Sequence, residues 1–169
     1  MRAPGPVAEV YNVLVPAMLK IVPRQLGIAA ICGAAGLAIN TLPGALVAPL
    51  LLGRVVTLPV AILYGPVAGV VSSLIASTAA AQTAAPLGVV MTVLALEAVV
   101  IGLFAQRGKS PLVAGALVWT AVAVTLIAAP RAFGVGVLRE TIWPLALQLL
   151  LNALVAIIVA ELIAVILAQ

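Results

Sequence analysis

The run from Pro43 to Ala80, PGALVAPLLLGRVVTLPVAILYGPVAGVVSSLIASTAA, decides what kind of fold this chain makes. It is apolar almost throughout, and Arg54 is its single charge. The turn Tyr64-Gly65-Pro66 divides it into two halves. In the second half Gly65, Gly69, Ser73 and Ala76 recur at three- and four-residue spacing. That spacing puts small side chains on one helix face, the surface that lets helices approach closely in lipid. The first half carries a cation where an unpaired charge at bilayer depth costs about 2.5 kcal/mol or more. The run therefore supplies both a packing seam and a candidate polar site.

The rest of the chain has the same character. Its residues are 66% apolar and 7% charged, the mean hydropathy is +1.39, and histidine is absent. A soluble domain carries about 25% charged residues, so the expected solvent is the lipid bilayer. A spanning helix takes about 20 residues, which lets 169 residues hold six or seven spans and little else. The net charge of +4 comes from eight Lys and Arg scattered over chain ends and loops. Such scatter orients a membrane protein and excludes a nucleic-acid footprint. Cys32 is the sole cysteine, so no intrachain disulfide forms, and it reads as a small packing residue. MRAPGPVAEVYN at the start lacks the apolar core of a signal peptide, which reads as a mature chain retained in the membrane.

Taken outward from the central run, the sequence predicts an all-α polytopic bundle. Residues 1–24 form an interfacial amphipathic helix opened by Pro6 and ended near Pro23, with Val7, Val10, Leu14, Met18 and Ile21 facing one way and Glu9, Asn12, Lys20 and Arg24 the other. Residues 25–169 form one transmembrane domain with six spans at about 25–41, 45–64, 66–81, 87–105, 111–129 and 145–167. Two readings of the second span stand side by side. In one, Gly53-Arg54 breaks the helix, leaving 45–52 as a re-entrant or interfacial piece before a short span; in the other, one tilted helix carries Arg54 into a polar interior. Pro49, Gly53 and Pro59 all weaken a continuous helix and favour the break. Counting six spans puts Arg2, Lys20, Arg24, Arg107 and Lys109 on one side, with Arg131 and Arg139 on the other. The positive-inside rule then places both termini in the cytoplasm and the chain in the cell (inner) membrane.

Four polar residues stand out as ligand-binding or coupling candidates: Arg54, Glu97, Gln148 and Asn152. Arg54 and Glu97 are the charges expected at membrane depth. Paired, they make a ligand or proton site between the second and fourth spans; unpaired, Arg54 sits at a break near the headgroups and Glu97 is satisfied by a neighbouring helix. Gln148 and Asn152, four residues apart, share one face of the sixth span, where they act as polar glue or as part of a site. Gly65, Gly69, Ser73 and Ala76 are the helix-packing candidates. Tyr64 and Trp143 read as interfacial anchors. With no histidine, no cysteine pair, no phosphate-binding glycine loop and four carboxylates, the sequence gives no catalytic residue, no metal and no cofactor.

Three segments carry a family resemblance: LYGPVAGVVSSLIAS, LEAVVIGLFAQRGKSPLVAGALVW, and RETIWPLALQLLLNALVAIIVAELI. In order and spacing they resemble the multi-span N-terminal sensory domains of bacterial histidine kinases and diguanylate cyclases. The residues that match are Gly65 and Gly69, Leu96-Glu97-Ala98 with Arg107 and Lys109, Trp119, and Asn152-Ala153. The resemblance implies a signal-input domain whose last helix feeds a cytoplasmic effector and which forms a homodimer. A second similarity is to the substrate-binding S components of energy-coupling-factor vitamin transporters, also of six spans, with AAICGAAG at Ala29 to Gly36 in place of their small-residue docking surface. That similarity implies small-molecule capture and a partner membrane subunit. A third expectation is a structural subunit of a larger membrane complex.

Overall fold

The computed structural model describes residues 22–41, 52–79, 87–128 and 139–167, and these residues form six helices. They are α1 (Pro23–Thr41), α2 (Arg54–Tyr64), α3 (Pro66–Ser77), α4 (Leu87–Gln106), α5 (Pro111–Ala128) and α6 (Arg139–Leu167). The expected interfacial helix lies outside the described residues except for its last positions. Pro23, expected near the end of that helix, is instead the first residue of α1. A proline is tolerated there because the first-turn N–H groups have no intrahelical partner.

Three stretches, Leu87–Gln106, Pro111–Ala128 and Leu149–Leu167, are long and apolar enough to cross a membrane. The expected spans at 45–64 and 66–81 are represented by α2 and α3, of 11 and 12 residues. At 1.5 Å per residue these are about 16 and 18 Å long, short of the roughly 30 Å hydrocarbon thickness. The turn between them is set locally. Gly65, at φ 90°, ends α2 and starts α3 in a conformation that a side-chain-bearing residue resists. Pro66 then occupies the first position of α3 with its φ already helical.

The two short helices fold back on each other as a hairpin. Gly69 packs against Ala61, Ser72 lies by Thr57, and Ala76 and Gly53 meet at the open end beside Asn40. α1 runs alongside α3 in the same direction. Gly33 lies against Ser72 and Ile75, and Gly36 against Ala76 and Thr57. At Gly33 a Cβ would lie 2.9 Å from both Ile75 Cβ and the Ser72 carbonyl oxygen, which no side chain tolerates.

Contacts along α4 set the depth of the hairpin. Its tip is at Gln106, whose side chain a Cβ on Gly65 would strike. Its open end is at Glu97, ten residues from Leu87 and nine from Gln106, halfway along α4. The half of the bundle toward Gln106 therefore contains all six helices. Among the described residues, the half toward Leu87 contains only α4, α5 and α6. Three clusters of buried apolar residues fill these halves, one of them, Ala29, Val60 and Ala68, joining α1 to the hairpin. In the six-helix half Leu58, Ile101, Ala114, Ala156, Ile157 and Ala160 pack together; in the other, Leu94, Val118, Trp119 and Ala153 do.

Candidate functional site

The helix ends at the open end of the hairpin present buried backbone groups halfway along a long apolar helix, where water is not at hand to satisfy them. One side chain answers two of these groups. Asn40, 2% exposed, donates from Nδ2 to the Ala76 carbonyl at 3.1 Å and accepts at Oδ1 from the Gly53 N–H at 2.7 Å. α1 thereby joins both legs of the hairpin at its mouth. At the end of α3, Ser77 and Thr78 donate back to the Leu74 and Ile75 carbonyls at 2.8 and 2.7 Å.

Next to Gly53, as the first residue of α2, Arg54 turns toward α4. Its Nε donates to Glu97 Oε2 at 3.0 Å and its Nη2 to Glu97 Oε1, a bidentate pairing. Trp119 on α5 completes the group. Its Nε1 donates to Glu97 Oε1 at 2.7 Å, and the face of its ring lies 4.6 Å from the Arg54 guanidinium carbon. Arg54, Glu97 and Trp119 are 6%, 1% and 4% exposed. The carboxylate accepts three hydrogen bonds from two helices, and the cation is covered on one face by an indole. Charge-assisted fork geometry, an aromatic face and exclusion of water together make this the strongest electrostatic element among the described residues.

Of the four polar candidates, the fold brings Arg54 and Glu97 into direct contact across α2 and α4. Asn152 lies on α6 one residue before Ala153, which packs against the Trp119 cluster. Its Nδ2 is shielded from solvent and has no partner among the described residues. The Gln148 and Trp143 side chains fall outside the described residues. Gly65, Gly69, Ser73 and Ala76 are all buried. Of the small residues at Ala29 to Gly36, Ala29, Gly33 and Gly36 are consumed inside the fold, while Ala30, Ala34 and Ala35 face outward. Tyr64, at the hairpin tip, is 37% exposed.

Two members of the site were not among the candidates. Trp119 reads in sequence as a mid-span aromatic, and only the tertiary fold turns its N–H to Glu97. Asn40 reads as the end of a span, yet an asparagine among Ala, Gly and Ile is the one residue there able to donate and accept at once.

Chemically the group is a neutral ion pair with no histidine or thiol beside it. Among the described residues no three His, Cys, Asp or Glu side chains cluster as metal ligands would. Such an arrangement can hold charge and change partners. No protein-family model matches the chain, and neither the curated proteins nor the solved structures give a match.

Proposed function

We propose that this chain is an integral-membrane input domain that passes a ligand or membrane signal to a cytoplasmic effector through α6. The observation that carries the proposal is the continuity from the Arg54–Glu97 pair to the last helix. Arg54 opens α2; one turn on, Leu58 packs with Ile157 and Ala160 of α6. A signal that separates Arg54 from Glu97 moves α2, and α6 must repack or follow. Such a signal acts only through unequal affinity for the two arrangements.

In this reading the bilayer surrounds the bundle, and six helical segments serve as its membrane-embedded part. α4, α5 and α6 cross fully, and the α2–α3 hairpin reaches from mid-depth to one surface. Arg24, Arg107 and Lys109 share the end of the bundle that holds the hairpin tip and Leu167. The positive-inside rule assigns that end to the cytoplasm, where an effector would connect. A homodimer through the outward faces is the assembly in which a rotation or shift of α6 is read.

The test is a chimera in which α6 continues without a break into a diguanylate cyclase domain, expressed in cells lacking other cyclases. The reading predicts that Arg54→Gln with Glu97→Gln changes product per molecule several-fold while the amount of protein in the membrane stays constant. Equal output from the unaltered and doubly substituted chimeras would overturn it.

A second reading, a small-molecule capture subunit of a transport complex, draws on the outward face of α1. Gly27, Ala30, Ala34 and Ala38 are exposed there beside a large side chain, Ile31, 71% exposed, whereas the outward faces of α4, α5 and α6 carry Leu96, Leu117, Val124, Val155 and Leu162. Small residues suit contact with a partner helix better than contact with lipid chains. Co-purification of a membrane subunit and an ATPase, lost on Ala34→Leu, would favour this reading over the first.

A further inference from the structure

Glu97 and Trp119 hold the planar guanidinium of Arg54 between a carboxylate edge and an indole face. The carboxylate comes from the middle of α4 and the indole from the middle of α5, both long apolar helices. The 2.7 Å bond from Trp119 Nε1 fixes the carboxylate, and the ring face lies beneath the guanidinium. A carboxylate edge beside an indole face, dry on all sides, is the pairing that recognises guanidinium and alkylammonium groups. The occupant rides on a lighter element. Arg54 is the first residue of an 11-residue helix entered through Gly53, whose N–H is tied to Asn40.

This asymmetry determines what can be exchanged. Withdrawing Arg54 alone strands a buried carboxylate, which is strongly disfavoured. Replacing Arg54 with another cation keeps the carboxylate neutralised and the indole face covered, and it frees α2. The cost then falls on the displaced Arg54 guanidinium, which must reach water or another anion outside the pair.

We infer that the Glu97–Trp119 pair is a binding site for an organic monocation of the guanidinium or alkylammonium class, which competes with Arg54 for the same carboxylate and ring. The consequence of release depends on the input-domain reading; the binding itself does not.

The experiment uses the full chain in phosphatidylcholine nanodiscs, carrying Trp143→Phe so that Trp119 is the sole tryptophan. Methylguanidinium chloride is exchanged for sodium chloride at constant ionic strength, and Trp119 emission is followed. The site predicts a saturable change with methylguanidinium. It also predicts apparent affinity at least about tenfold higher in Arg54→Ala, where the resident competitor is gone. In the double variant Arg54→Gln with Glu97→Gln the response disappears. No saturable response in the Trp143→Phe protein, or an equal response in the double variant, overturns the inference, and both outcomes can be read even if Arg54→Ala does not fold. Binding without any change in the cyclase chimera would overturn the input-domain reading and leave the site; a relay without binding would overturn the site alone.

Discussion

Trp119 donates its indole N–H to the same carboxylate oxygen of Glu97 that receives Arg54 Nη2, and its ring covers the cation that the carboxylate neutralises. Its two contributions separate by substitution. Trp119→Phe keeps an aromatic face and removes the donor, and a hydrogen bond to a charged group contributes about 1.5–3 kcal/mol. Trp119→Leu also removes the face. We expect a fall in thermal stability in detergent micelles for the first and a larger fall for the second; equal stabilities for the two would mean that the ring face contributes nothing.

Asn40 secures both legs of the hairpin. Asn40→Ala leaves the Gly53 N–H and the Ala76 carbonyl buried without a partner, at about 1–3 kcal/mol for each. Asn40→Asp keeps the acceptor toward Gly53 but loses the donor toward Ala76 and introduces a charge, so it should be no better than alanine. Stability equal to that of the unaltered protein in Asn40→Ala would show that the helix ends find other partners.

Two glycines on α4 give opposite expectations. A Cβ on Gly102 would lie 2.7 Å from Pro66 N and 2.8 Å from its Cα, backbone atoms with nowhere to go, whereas nothing lies within 4 Å of one on Gly88. Gly88→Ala should therefore be neutral or stabilise by up to about 1 kcal/mol through helix propensity. Gly102→Ala should push the hairpin tip off α4 and destabilise the fold. The pair is read by melting both variants side by side; a Gly102→Ala protein as stable as Gly88→Ala would contradict the close approach of α3 to α4.

Asn152 holds on α6 a shielded donor with no partner among the described residues. Replacement by leucine removes an unsatisfied group and adds apolar contact, so stability should hold or rise. A loss above about 1 kcal/mol on Asn152→Leu would mean that this amide has a partner of its own.

The apolar composition and the uncharged runs made the helical class legible, because bilayer-length apolar segments leave few other ways to satisfy the backbone. Gly65-Pro66 announced the hinge, since glycine permits a positive φ and proline fixes its own φ at a helical value. Arg54 and Glu97 could be paired as candidates because they were charges in places that tolerate few. Two things were hidden. The brevity of α2 and α3 depends on how the hairpin packs under α1 and α4, and a run of apolar residues does not record where its helix stops. The parts played by Asn40 and Trp119 depend on contacts 36, 13 and 22 residues away, and local periodicity carries no trace of them.

The central claim is that Arg54 and Glu97 act as one unit joining the hairpin to the long helices. The direct measurement is a double-mutant cycle on stability with Arg54→Gln, Glu97→Gln and both together. Each single change strands a buried charge and should cost about 3–5 kcal/mol, while the double change strands none and should cost less than either. Additive losses, with the double variant the least stable of the three, would contradict the pair as a functional unit.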